Sequence, residues 1–142
     1  MKKISVPVIF SLSLLFFTGC KKDSITAETS IQGLWELRQA SGMLTINYAP
    51  GNGNTINFSG NQYQIATNGQ ITESGRFEIE KDLTAANETC LVIAEGQYNN
   101  RIILSNSISS SKKFIQVSGN KLNILAGCFA LDAGSNMEYA RQ

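Results

Sequence analysis

The stretch INFSGNQYQI, residues 56–65, reads as two short strands folded back on a turn, and its outline returns as IQVSGNKLNI at residues 115–124. Both fit the form I-x-[FV]-S-G-N-x-[YL]-x-I. With Gly60-Asn61 as a two-residue turn, Phe58 faces Tyr63 and Ile56 faces Ile65. With Gly119-Asn120 in the same role, Val117 meets Leu122 and Ile115 meets Ile124. Apolar side chains then pair on one face of each ribbon and polar ones on the other, as a half-buried hairpin requires. The recurrence reads as reuse of a good turn rather than as a duplicated domain.

Outward from these hairpins the chain keeps a period of two, broken by Gly, Asn and Ser. Strands are expected at roughly 33–40, 54–59, 62–67, 71–80, 88–94, 99–106, 112–118, 121–126 and 136–141. SITAETSIQ, residues 24–32, can carry a short helical turn, and no helix longer than about a turn is expected after it. Asn68-Gly69 looks like a third two-residue turn, but that turn would set Phe77 and Ile79 on the face opposite Tyr63. Adding Gln70 to the loop restores parity, with Ile65 facing Glu73 and Tyr63 facing Gly75, so a three-residue loop with a bulged glycine is predicted. Consecutive antiparallel strands with short links close a barrel or stack as a two-sheet sandwich, and periodicity does not choose between them.

The N-terminus speaks to location. Lys2 and Lys3 precede an uncharged run from Ile4 to Phe17, too short for the roughly 20 residues of a membrane span. A basic start, a short apolar middle and small residues at the end make a secretory signal peptide. Its end, Phe17-Thr18-Gly19-Cys20, resembles the bacterial lipobox, with Phe17 where an aliphatic residue is usual. That resemblance implies a signal peptide over 1–19 and lipidation of Cys20. A flexible tether follows over 20–30, then a domain over 31–142, anchored in the outer membrane on its periplasmic face or at the cell surface. The membrane is then touched through the lipid alone. In an oxidising compartment the two remaining cysteines, Cys90 and Cys128, most simply form a disulfide; two separate buried thiols are the alternative.

Gly33-Leu34-Trp35 separates the two architectures. A G-x-W on the first strand, just after a short helical turn, resembles the first motif of the lipocalins. The whole chain after Cys20 is similar to the lipocalin-like lipoproteins of Gram-negative bacteria in GLWELRQASG (33–42), NYAPGNGNTINFSGNQY (47–63), ESGRFEI (73–79) and the ending with Cys128, Asp132, Tyr139 and Arg141. The resemblance implies an all-β fold: an antiparallel up-and-down β-barrel of about eight strands, with a ninth C-terminal strand allowed for. It implies that Trp35 plugs one end and that Arg141 packs over it, a cation–π contact of roughly 0.5–2 kcal/mol. The central T-D-Y-like motif of secreted animal lipocalins is missing, so their ligands and receptor contacts do not carry over.

Alternation turns Trp35, Leu37, Ile56, Phe58, Tyr63, Ile65, Phe77 and Ile79 to the interior, joined by Leu91, Ile93, Ile102, Leu104, Val117, Leu122, Ile124 and Tyr139. A barrel this size is either filled by side chains or holds one small ligand. Trp35, Leu37, Phe58, Tyr63, Ile65, Glu73, Phe77 and Tyr139 are the candidate ligand contacts, the tyrosines supplying hydroxyls and Glu73 a carboxylate near the mouth. The expected partner is a small hydrophobic or amphipathic molecule bound by a monomer. The alternative is a filled barrel whose loops contact another protein. SGMLTINYAPGNGN, residues 41–54, is long for a tight turn: Met43, Leu44, Ile46 and Tyr48 form either a lid over the open end or an extra strand.

Other chemistry finds little footing. The chain has no histidine, which removes Ser-His-Asp and Cys-His catalysis and the usual zinc ligands, so neither enzyme activity, a metal nor a cofactor is expected. Glu78 and Glu80 alternate with Phe77 and Ile79 and so face solvent. Gly51-Asn52-Gly53-Asn54 lacks the lysine of a phosphate loop. SNSISSSKK, residues 105–113, reads as a polar turn, with Lys112 and Lys113 as edge protection. With 12 Lys+Arg against 11 Asp+Glu and no basic cluster, nothing suggests nucleic acid as a partner.

Overall fold

A computed structural model describes residues 30–142 of the chain. The expected signal peptide, Cys20 and all of the expected tether but its last residue lie outside the described residues. Nine strands follow in order: β1 (Gly33–Ser41), β2 (Thr45–Asn47), β3 (Thr55–Ser59), β4 (Gln62–Thr67), β5 (Gln70–Lys81), β6 (Asn100–Leu104), β7 (Lys113–Ser118), β8 (Lys121–Ala126) and β9 (Ser135–Arg141). Each of β3 to β9 pairs antiparallel with its sequence neighbour, β1 pairs with β3, and β9 returns to β1. Eight strands therefore form a closed up-and-down barrel. The C-terminal strand is the one that shuts it, and the extra strand is β2, on the upper half of β1 at Gln39↔Asn47 and Ser41↔Thr45. Residues 45–47 thus continue the sheet as a strand, and the lid reading of this segment falls.

Both twin hairpins have the register their apolar pairs demand, Phe58↔Tyr63 with Ile56↔Ile65, and Val117↔Leu122 with Ile115↔Ile124. The β4–β5 hairpin corrects the three-residue loop. Ile65↔Glu73 and Tyr63↔Gly75 are as expected, yet Ala66 pairs with Ile71 and Thr67 with Gln70. Asn68-Gly69 is a two-residue turn, with φ of 51° and 81°, the positive pair that a type I′ turn needs. The extra residue that parity required is Thr72, absorbed as a bulge inside the strand rather than in the loop. A second bulge lies in β1, where Leu37↔Tyr139 is followed by Gln39↔Glu138 and Arg38 is left over.

The predicted strand over 88–94 is absent. Phe77↔Leu104 and Ile79↔Ile102 join β5 directly to β6, leaving no place in the sheet for another strand. Residues 82–99 instead form a loop closed at its base by the Asp82 amide donating to the Asn99 carbonyl, 2.9 Å. It contains one short helix, α1 (Ala85–Thr89), which ends at Cys90 in the left-handed region. This loop lies on the outside of the barrel, where Ala85, Ile93, Tyr98 and Phe129 pack on the outward faces of Phe114 and Leu125. Leu91 and Ile93 are therefore not in the barrel interior; Leu91 is exposed and Ile93 serves the outer cluster. Cys90 and Cys128 form a disulfide that ties the loop to the turn after β8. Closing a span of 38 residues stabilises the fold by about 4 kcal/mol on loop-closure entropy.

The main core fills the lower barrel: Trp35, Ile56, Phe58, Tyr63, Phe77, Ile102, Ile115, Leu122, Ile124 and Tyr139 are all buried, with Ile31 beneath them. Phe58 and Phe77 meet edge to face, with ring centroids 4.9 Å apart. Ser30 and Ile31 are helical, and Ile31 is wholly buried at the plugged end. Glu78 and Glu80 face solvent, Glu80 paired with Arg101 at 2.7 Å.

Candidate functional site: a cup above the tryptophan plug

The floor is built first. Trp35 is wholly buried and donates its indole N–H to the Ile31 carbonyl at 2.6 Å. The Arg141 guanidinium carbon lies 4.0 Å from the ring centroid of Trp35, and its two terminal nitrogens donate to the Gln32 and Ser30 carbonyls at 2.5 and 2.6 Å. One cation thus covers the indole and clamps the incoming chain.

Above this floor the barrel keeps a cavity of about 570 Å³, within the usual 300–1,000 Å³ of small-molecule sites. Its wall is mostly apolar: Leu37, Ile56, Ile65, Leu104 and Ile124, with Tyr48, Met137 and Tyr139 adding polarisable or hydroxylated surface. Asn54, Thr55, Thr67 and Asn68 form a polar part of the rim, and Lys113 closes the wall at the first residue of β7. Three further hollows among the described residues hold about 240–300 Å³, and the larger two mix polar loop residues with Ile115 and Val117 or with Ile102, Ile103 and Leu104.

Of the eight candidate ligand contacts, Leu37, Ile65 and Tyr139 line the cup. Trp35, Phe58, Tyr63 and Phe77 lie beneath it in the packed core. Glu73 stands beside the wall, accepting a 2.6 Å hydrogen bond from the Tyr63 hydroxyl. Burial and then this carboxylate push the Tyr63 hydroxyl up to about 12. Gly75, opposite Tyr63, makes that reach possible, because a Cβ there would stand 3.1 Å from the ring and 2.4 Å from Ser105 Oγ. Tyr139 is likewise pushed up to about 12 by burial, with nearby Tyr48 adding to it, and among the described residues its hydroxyl reaches only the Met137 thioether at 3.4 Å. A thioether is a weak acceptor, so this hydroxyl keeps donor capacity for a ligand.

Of the lining residues that the sequence reading does not name as ligand contacts, Lys113, Met137 and Tyr48 change the character of the wall most. Lys113 was expected at an edge, but it shares the parity of Ile115 and Val117 and so turns inward; counting back two residues from Ile115 is the signal that finds it. Met137 follows by the same rule from Tyr139. Tyr48 lies just beyond β2 and is held half-buried against the core by its amide donating to the Arg38 carbonyl, 2.8 Å, at the β1 bulge. No pattern in the sequence announces that bulge.

The mouth is braced by a buried carboxylate. Glu36 is 4 % exposed, contacts Arg38 at 2.5 Å and accepts from the amides of Gly51 and Gly53. Burial alone would raise its pKa, but the Gly51 amide, Arg38 and the Gly53 amide together hold it below the ordinary carboxylate value. Asn52 donates to the Leu37 and Ala49 carbonyls, and Asn54 Oδ1 accepts from the Asn68 amide. The glycine-rich segment is therefore a braced rim, built on amides that only an unhindered backbone can aim inward.

Among the described residues no group of three or more His, Cys, Asp or Glu gathers to hold a metal ion. In comparison with known proteins, no family, no curated protein and no solved structure matches this chain.

Proposed function

We propose that this protein is a lipocalin-like envelope lipoprotein that captures a small, partly apolar molecule in its barrel without chemically changing it. Cys20 would carry the lipid anchor, in the outer membrane on its periplasmic face or at the cell surface. The observation that carries the binding reading is the apolar cup of about 570 Å³ left open above the Trp35 floor. A filled barrel acting only through its loops would leave no such space, and it would turn Tyr48 outward instead of into the wall. Capture would draw on apolar area removed from water, about 25 cal/mol per Å², within a wall already formed before the ligand arrives.

The test is organic extraction and mass spectrometry of the protein purified from its own cell envelope. The expected result is one enriched small molecule, lost in an Ile65→Trp variant whose melting curve is unchanged. Correctly folded material that yields no enriched molecule overturns the carrier reading. The same preparation reads the anchor as acyl mass on the peptide that begins at Cys20, and an unmodified Cys20 in membrane-purified protein overturns it.

A further inference from the structure

Lys113 is out of place in an apolar wall. An ammonium group costs free energy to desolvate unless something offsets the loss, and long lysine side chains normally carry theirs out into water. Here the side chain stands between the cup and a neighbouring hollow of about 290 Å³ that Ser107 lines, and the one hydrogen bond its Nζ makes among the described residues goes to the neutral hydroxyl of Ser107, 2.9 Å away. Neighbouring Lys112 shows the contrast, since its Nζ lies 3.2 Å from Asp82 and 2.9 Å from Glu88. No carboxylate stands within ion-pair distance of Lys113 among the described residues. Glu73 is the charged group whose field reaches it, and that carboxylate already accepts the Tyr63 hydroxyl. Burial accordingly holds the Lys113 ammonium below its ordinary pKa, Glu73 only partly opposing the shift.

Position adds a direction. Lys113 is the first residue of β7 and pairs with Ala126, the last of β8, one step above Ile115↔Ile124. Its charge therefore sits at the mouth, while Leu37, Ile56 and Tyr139 form the wall below.

We infer that the cup takes a single-tailed amphiphile with an anionic oxygen head, a carboxylate or a phosphate ester, its tail against the apolar wall and its head at Lys113. Lys113 is then the residue that sets head-group specificity. The inference rests on the carrier reading above and goes beyond it in naming the ligand's charge, its polarity along the cup and the residue that reads it. Ser107, already bonded to the ammonium, fixes where the charge is held.

The experiment is displacement of a fluorescent apolar dye from the full chain by three probes of equal tail length: hexadecanoate, monohexadecyl phosphate and hexadecanol. A charge-assisted contact at a partly wet rim favours at least one anionic probe over the alcohol by about tenfold. Lys113→Met removes that preference, so that both anions bind no more tightly than hexadecanol, whereas Lys113→Arg retains it. If hexadecanol binds as tightly as both anions, the head-group inference fails and the carrier reading stands. If no probe displaces the dye and the dye itself does not bind, the carrier reading fails with it. Preference for only one of the two anions identifies the head as carboxylate or phosphate.

Discussion

At the plugged end of the barrel, side-chain donors reach main-chain carbonyls: Trp35 to Ile31, Arg141 to Gln32 and Ser30. At the mouth the roles reverse, and main-chain amides of Gly51 and Gly53 converge on the Glu36 carboxylate while the Asn68 amide meets Asn54. The floor is thus a large apolar group sealed by a guanidinium. The rim is backbone gathered around one acid. Floor stability should follow buried area, and rim order should follow the ionisation of Glu36.

Trp35→Ala is the most damaging way to break this contrast. It removes a wholly buried indole, leaves a cavity that the barrel wall cannot collapse into, and strips Arg141 of its ring. A loss of about 3–5 kcal/mol is expected, read as a lower denaturant midpoint in equilibrium unfolding. Trp35→Phe keeps an aromatic face but not the bond to Ile31, and should lose a smaller part. Near-equal, small losses for both variants would mean that the floor is held by the Arg141 clamp alone.

The floor was also the more legible end. Trp35 and Arg141 lie on strands whose apolar alternation is unbroken up to Leu37, and both twin hairpins announce their own register through paired apolar residues. Legibility stops where parity is broken silently. The excess residue near Asn68-Gly69 was detectable from the faces of Phe77 and Tyr63, but its place was not, because a bulge at Thr72 and a longer loop satisfy the same count. The segment around Leu91 and Ile93 shows the opposite failure. Its short alternation imitates a strand, while the burial it seeks lies on the outer face of β7 and β8, where Phe114 and Leu125 face away from the interior. Lys113 escapes the sequence for a related reason: its charge reads as exposure, although its parity with Ile115 places it inward.

Glu36→Gln acts on the rim and should cost less, on the order of 1–2 kcal/mol at neutral pH, because the amide still accepts one backbone bond but leaves Arg38 without its anion. Its signature is pH dependence. A carboxylate held below its unfolded pKa adds stability that is full above roughly pH 4.3 and fades as the pH falls through the folded value. Asp82 adds a second contribution of the same sign, since bonds from Thr84, chiefly, and then Lys112 hold it at about 2. The native protein should therefore lose melting temperature steadily on acidification. Glu36→Gln should lose less over the same range, and Asp82 contributes to the slope that remains. Parallel curves for the two proteins would show that the rim does not depend on the Glu36 charge.

The smallest expected effect compares one turn from each end. Gly60 at the plugged end and Gly69 at the mouth both hold positive φ, 60° and 81°, and an added Cβ at either meets no atom within 4 Å. Alanine in that conformation costs about 1 kcal/mol through backbone strain alone. Equal losses for Gly60→Ala and Gly69→Ala are therefore expected in equilibrium unfolding. The two turns differ in one respect: the Gly69 amide donates to the Gly53 carbonyl at 2.8 Å, so the mouth turn is tied to the rim that Glu36 braces. A loss at Gly69 several times that at Gly60 would show that small backbone shifts spread through this tie. The braced rim and the β4–β5 hairpin would then open as one unit, and access to the cup would be governed by a backbone hydrogen bond rather than by side chains at its mouth.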